Sequence, residues 1–587
     1  MNNDSRKLPG YPLPYKVIGG CLYREVQTKN GSYDQKLCNF LPYIVSELTL
    51  DDGAEESKRL RLGGFRQNGS PLPDIEISGS DLGSFNWLIE KWGADCILEI
   101  GPSVKDSVRY AIQMTAMGAD RKTEYAVTGW KKIDGVWHFL MPGNEAHTVQ
   151  LPGKLSRYMF PQKAAPEMLP FLLQLLEHPP APREVIWPLL AYTFLSPLNH
   201  FLHEANCESK YVFLLSGRTG TRKSTLAALF LSFFGSFTAS EMPMSFRDTP
   251  NSIIYNAFCL KDVLTCIDDF HPSTRQEEQK LTATAQTIMR AYGDRTGRGR
   301  LRSDATPMAS RPPQGNAVIT AEFPPSVGES GTARYFASEL KPDDVNLELL
   351  SAYQTAAAKG VLQSCMMIYT QWIYRKFLSD AGSEKAFLSL LRDWFEFYRD
   401  AFIRSGVVCH GRLPEITAWF QIGMKMFLWL LLDQRIITEL QMDDTMQAFS
   451  SLLYRLAQKQ AESIALDKPA HIFVRKLFSL IESGQATILK KNEANSYQPK
   501  DFIGYEDDDY YYLNCDSAHR AVRKICEEQG EQFSVSSRGL LKSLAEENLI
   551  DTGSGQNTKS IRIGNTTKRV ACLRKDAARR IVEEATL

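Results

Sequence analysis

Residues Tyr211 to Phe234 read YVFLLSGRTGTRKSTLAALFLSFF. The apolar run Tyr211 to Leu215 is expected to be a buried strand, and Leu226 to Phe234, apolar nearly throughout, a helix. Between them lies SGRTGTRKST. Strand, glycine loop and helix in that order are the setting of a phosphate-binding loop. Gly217 and Gly220 let the backbone curl so that several N–H groups converge. The helix N-terminus adds partial positive charge. Lys223 supplies a point charge for outer phosphates and Ser224 a hydroxyl for Mg²⁺; Thr219, Thr221 and Thr225 complete the candidate nucleotide-binding set. One position departs from G-x-x-x-x-G-K-[ST]: Arg222 stands where the second glycine belongs. The plain alternative is a tight strand-to-helix turn carrying a solvated lysine.

Downstream, Asn256 to Phe270 reads NAFCLKDVLTCIDDF. Val263 to Ile267 is expected to be a second buried strand, ending in Asp268-Asp269. A carboxylate at the end of a strand beside such a loop holds Mg²⁺ through water, a role for Asp268. Asp269 would orient or deprotonate an attacking water. The alternative is an acidic helix cap, since Pro272-Ser273 and a Gln- and Glu-rich helix follow. Ala317 to Thr320 reads as a third buried strand whose tip residue, Thr320, can reach the attacking water or the γ-phosphate, with Glu322 close enough to assist. Arg334, before another strand, either reaches a neighbouring subunit's γ-phosphate or pairs with a local carboxylate.

Between the second and third strands is a basic stretch. From Arg290 to Arg311 there are six arginines against two aspartates. Arg298, Arg300 and Arg302 alternate, which puts them on one face of a strand and suits a hairpin aimed at a phosphate backbone. The alternative is a solvated loop.

The flanks differ in character. Residues 1–150 read as a β-rich domain of short strands, among them Tyr15 to Tyr23, Phe40 to Leu50 and Leu60 to Gly64, with helices near Leu82 to Trp92 and Val104 to Met117. Thr128 to Gly143 is expected to be a hairpin turning at Asp134-Gly135, its Trp130, Trp137 and Phe139 serving as core or as base-stacking rings. Residues 151–210 are expected to be a helical linker, 211–345 the nucleotide-binding core and 346–465 a helical lid or spacer. In 466–587, a helix from Ala518 to Gln529, a cap at Ser534 to Ser536, a helix from Ser537 to Asn548 and strands at Ile561 to Ile563 and Arg569 to Leu573 spell a winged helix. From Thr552 to Arg580 there are eight Lys or Arg and one Asp. A wing carrying Lys568 and Arg569 suits DNA phosphates; a protein-docking winged helix is the alternative.

The totals add bounds. A chain of 587 residues with 43% apolar and 23% charged residues is expected to hold several globular domains. Lys plus Arg equals Asp plus Glu at 68 each, so any nucleic-acid surface must be a local patch. None of the eleven cysteines forms C-x-x-C. Reduced, buried thiols and a cytoplasmic location are expected. The N-terminus lacks the apolar core of a signal peptide, and the longest unbroken apolar run, Met426 to Leu432, is too short to span a bilayer.

Taken together, GRTGTRKST, CIDDF, the arginine stretch, ITAEFPP with the following TAR, and the C-terminal helix–turn–helix–hairpin resemble the MCM-like replicative helicases of staphylococcal cassette chromosomes (the Cch family) and related phage and plasmid ATPases. The resemblance extends through most of the chain. It implies a multidomain α+β protein with a P-loop AAA+ core, using ATP and Mg²⁺, that assembles as a homo-hexameric ring and moves on single-stranded DNA with duplex DNA as its substrate. It implies that Arg298, Arg300 or Arg302 lies on a pore hairpin and that Arg334 is a candidate trans-acting finger. Whether a primase or polymerase travels with it is left open. Arg222 and Asp269 depart from the usual Gly and Glu, which keeps a second reading: an ATP-gated DNA-binding initiator or regulator with little hydrolysis.

Overall fold

In the computed structural model, the apolar run after Tyr211 forms β1 (Val212–Ser216), with every residue buried. It pairs in parallel with β4 (Asn316–Ala321) on one side and β5 (Tyr335–Glu339) on the other. β3 (Leu264–Phe270) lies beyond β4, and β2 (Met244–Ser245) beyond that, so the order is β2-β3-β4-β1-β5. Parallel neighbours need crossovers; α1 (Lys223–Leu231), α2 (Pro250–Cys259) and α3 (Arg275–Asp294) provide them. The strand order reverses around β1, and the crevice beyond strand C-termini at such a point is where open α/β sheets bind ligands. The structure describes residues 8–143, 146–297, 299, 306–307, 309–407, 411–466, 468–491, 499–529, 533, 535–552, 556–563 and 566–584.

A parallel sheet must be covered on both faces. Helices Arg183–Leu195 and Leu413–Asp433 bring Tyr192 and Phe420 against Phe213 of β1. They approach closely: a Cβ on Gly423 would stand 2.1 Å from the Ala191 carbonyl oxygen. Leu413–Asp433, 21 residues, is long and apolar enough to cross a membrane by length and composition, although Met426 to Leu432 alone is not; 78% of its most apolar stretch is buried in the protein. One hydrophobic core runs from Tyr125 to Ala461, so the stretches expected at 151–210, 211–345 and 346–465 share it.

A second core holds the N-terminal strands and ends at Ile112. The strand expected over Tyr15 to Tyr23 is a hairpin, Tyr15–Ile18 and Cys21–Thr28, because Gly19 and Gly20 both take positive φ. The helix expected near Leu82 to Trp92 is not an α-helix. It is a 3₁₀ turn at Gly79–Gly83 and a π turn at Leu88–Trp92, broken where Phe85 takes φ 56°. The hairpin Gly129–Ile133 and Val136–Leu140 turns at Asp134-Gly135 as expected, but it packs into the central core. Trp130 donates to the Pro197 carbonyl at 2.8 Å and meets Phe139 and Phe201 edge-on or tilted. That places it as core, away from any stacking role.

The last fifth of the chain has a core of its own, from Ala470 to Ile581. Helices Pro469–Glu482, Cys515–Glu528, Ser537–Glu546 and Lys575–Glu584 pack around a sheet in which Tyr510–Leu513 pairs with Thr566–Arg574, and Thr566–Arg574 with Lys559–Ile563. Asn514 caps the first of the central pair by accepting from the Ser517 amide, and Ser536 caps the second by accepting from Gly539. Ser534 lies outside the described residues.

Candidate functional site

The loop after β1 is shaped by backbone that only some residues tolerate. Gly217 has φ 153°, and a Cβ there would stand 2.3 Å from the Leu340 carbonyl oxygen, so β5's exit enforces glycine. Arg222, at the helix start, takes φ 67° and ψ 23°, the left-handed conformation glycine adopts freely. A side chain in that region costs about 1–2 kcal/mol. Arg222→Gly is therefore expected to raise the thermal unfolding midpoint, by about 1 kcal/mol of stability; a lower midpoint would contradict this.

Lys223 folds back over the loop. Its Nζ donates to the carbonyls of Gly217 at 2.5 Å and Arg218 at 2.9 Å, and burial lowers its pKa from the usual lysine value. Thr221 is buried and donates to the Arg218 carbonyl. Ser224 Oγ donates to Asp268 Oδ1 at 2.8 Å across 44 residues of sequence. Thr320, at the end of β4, donates to the same Oδ1 at 2.5 Å and accepts from the Asp269 amide at 2.9 Å. Its hydroxyl proton is thus spent on Asp268, and it serves to hold the two aspartates in place.

Sequence reasoning ends the second strand at Ile267. β3 runs on to Phe270, with its register to β4 broken between Ile267 and Phe270. Asp269 is the bulged residue, at φ 69°, a geometry that re-aims a side chain. Its carboxylate is 51% exposed and lies 3.8 Å from Arg247 Nη2. Glu322, two residues after Thr320, accepts from the Thr219 amide at 3.3 Å and hydroxyl at 3.0 Å, and its second oxygen pairs with His271 Nδ1. The Thr219 hydrogen bond is foremost in holding the Glu322 carboxyl below the usual range.

These groups enclose a cavity of about 370 Å³. Thr219, Gly220, Lys223, Ser224, Thr225, Asp269, Thr320 and Glu322 line it, together with Arg222 and His271; Gly217 and Thr221 shape the loop behind. A larger cavity of about 610 Å³ lies across Glu322, walled by Ser216, Val185, Tyr335, Leu456 and Gln460. Among the described residues no cluster of three or more His, Cys, Asp or Glu could hold a metal by itself. Sequence reasoning missed His271 and Arg247. The only local signal for His271 was its place two residues beyond Asp269; Arg247 gave none.

Other expected site residues lie elsewhere. Arg334 pairs locally in the single chain: both it and Arg412 donate to Asp294 at 3.1 Å, and the Arg334 side chain is 14% exposed. Burial would raise the Asp294 pKa, but the bonds from Arg334 and Arg412 hold it below the ordinary value. Lys568 donates to Tyr505 Oη at 2.8 Å, and Arg569 to Thr558 and Gln556, both at 2.8 Å. Arg298, Arg300 and Arg302 lie outside the described residues. At the foot of their stretch, Arg311 binds Asp52 at 2.6 Å and Glu55 at 3.3 Å, joining it to the N-terminal strands.

No protein-family model matches the chain, and no curated protein sequence does. Among solved structures, an SCCmec type IV Cch active helicase is similar over 97% of this chain and 99% of its own, at 12% identity with a TM-score of 0.56. That is a likeness of fold. Two others are a JCV helicase with inhibitor bound (15% identity, 49% of this chain and 71% of that one, TM-score 0.20) and the apo NrS-1 C-terminal region (10% identity, 70% and 87%, TM-score 0.22). Their TM-scores are too low to bear on the fold.

Proposed function

We propose that this chain, folded like an active helicase, is an ATP-dependent DNA helicase that translocates on single-stranded DNA. The observation that carries the reading is the meeting of Ser224 and Asp268 beside Lys223, at the C-terminal ends of β1 and β3. A hydroxyl and a carboxylate side by side are hard oxygen donors of the kind Mg²⁺ takes when it bridges to phosphates. With Mg²⁺-ATP bound, the metal supplies charge neutralisation at the outer phosphates. The protein's part follows from its own atoms. The loop amides and the start of α1 bind phosphate oxygens, Lys223 turns from its carbonyls to the outer phosphates, and Asp269 orients water. The 610 Å³ cavity across Glu322, walled by Val185, Tyr335 and Leu456, suits the nucleoside.

DNA contact falls to Arg298, Arg300 and Arg302 and to the basic hairpin at Lys568 and Arg569, in a C-terminal unit read as a winged helix. A ring of six copies fits the reading, in a cytoplasmic setting of mobile-element replication. Arg334, committed to Asp294, would have to leave that pair to serve a neighbour. The second reading, an ATP-gated initiator with little turnover, is favoured by one observation: Asp269, shorter than the usual Glu, sits on a bulge with its carboxylate half-exposed and 3.8 Å from Arg247.

Steady-state ATP hydrolysis with and without single-stranded DNA separates the two. The helicase reading expects DNA-stimulated turnover. It also expects binding that weakens with salt at roughly −0.7 in log–log slope per phosphate contacted, and replacing the three hairpin arginines by alanine should flatten that slope for every sequence. Nucleotide binding without turnover would support the initiator.

A further inference from the structure

We propose that His271 and Glu322 form a catalytic dyad: His271 accepts the proton of the water that attacks the terminal phosphate, and Glu322 orients its ring. This rests on the nucleotide reading of the site. Asp269, the other candidate, sits on the bulge with its carboxylate 3.8 Å from Arg247 Nη2. His271 follows two residues later, its amide donates to the Asp269 carbonyl at 3.1 Å, and its ring lines the same cavity as Asp269.

The ring's state follows from its partner. Nδ1 meets Glu322 Oε2, so the proton of a neutral imidazole resides on Nδ1, leaving Nε2 with its lone pair. Nε2 makes no hydrogen bond among the described residues. Glu322 is itself held by the Thr219 amide and hydroxyl at the tip of the loop, so the dyad is tied to the structure that cradles phosphate. A carboxylate orienting an imidazole, which then takes a proton, is the logic of nucleophile activation in hydrolases. The step balances. The water oxygen forms a bond to the γ-phosphorus, its proton passes to Nε2, and the bond to the β,γ-bridging oxygen breaks with its electron pair leaving on the nucleoside diphosphate. The charged groups around the ring are Glu322 just after β4, Asp269 near the end of β3, Glu277 at the start of α3, Arg247 beside Asp269 and Glu277, and Arg222 and Lys223 lining the same cavity.

The test is turnover and nucleotide-analogue binding in the full chain, with wild type, His271→Asn, Glu322→Gln, Asp269→Asn and Lys223→Ala. His271→Asn should lower kcat about a hundredfold or more, and further than Asp269→Asn, while the Kd of a non-hydrolysable ATP analogue stays within about threefold. Glu322→Gln should lower kcat more than it changes that Kd, as expected of a positioning residue. If His271→Asn keeps its kcat while Lys223→Ala is inactive, the dyad is wrong and the nucleotide site stands. If Lys223→Ala turns over like wild type, both fall; if wild type binds the analogue but hydrolyses no nucleotide, the dyad falls and the nucleotide site stands.

Discussion

Lys223→Ala is expected to lower ATP hydrolysis by about a hundredfold to a thousandfold or more and to abolish unwinding. The side chain's two hydrogen bonds are to the carbonyls of its own loop, Gly217 and Arg218. Losing them costs the fold little, because the Arg218 bond is exposed, where water replaces the ammonium, and only the Gly217 bond is part-buried. Losing the charge costs the reaction much, because negative charge builds on the outer phosphates in a site where fixed donors count for more than in water. The measurement is steady-state hydrolysis alongside a thermal melt. Wild-type turnover with an unchanged melt would remove the loop from the chemistry. A collapsed melt would instead make Lys223 a structural residue.

Asp262→Ala is expected to be the more damaging change to the fold, by about 3–5 kcal/mol. Asp262 is fully buried where α2 hands over to β3. One oxygen accepts from the Trp130 amide and the other from the His200 amide, each at 2.9 Å. It also pairs with Lys261, whose Nζ donates to the Trp130 carbonyl at 2.7 Å. Alanine would strand two amides and a buried ammonium at once. The hairpin Gly129–Ile133 and Val136–Leu140 would lose an anchor, since it packs so closely here that a Cβ on Gly129 would stand 2.6 Å from both the Asp262 carboxylate and the Lys261 carbonyl oxygen. Chemical denaturation should show a lower midpoint. Limited proteolysis should cut first near Asp134-Gly135. A variant as stable as wild type would mean that the carboxylate's bonds are replaced by water. Asp262→Asn, which keeps an acceptor for the amides, should recover part of the loss.

How far the sequence reaches is clearest at the site. The strand–loop–helix around Lys223 was legible because apolar periodicity and glycine placement are local properties: the elements observed begin and end within a few residues of those expected. β4 and β5 were legible for the same reason. Leu82 to Trp92 was not, because helix-like spacing of buried residues is also satisfied by two short turns. Only the positive φ at Phe85 tells them apart.

The amino-acid sequence by itself determined which residues carry charge and hydroxyls and in what order the elements follow. Only the tertiary structure decided what those groups touch. Thr320 reads as a group free to meet phosphate, yet its hydroxyl is divided between Asp268 and the Asp269 amide, 52 and 51 residues away. Arg334 reads equally as a finger or an ion pair, and the packing of α3 against β5's approach commits it to Asp294, 40 residues off. His271 has no motif at all. It matters because a one-residue bulge in β3 sets it beside Glu322 from the next strand. Periodicity is a relation between neighbours a few residues apart, whereas the partner of a polar side chain is set by which strands lie side by side. The parallel order β2-β3-β4-β1-β5 brings together residues that no spacing in the chain connects.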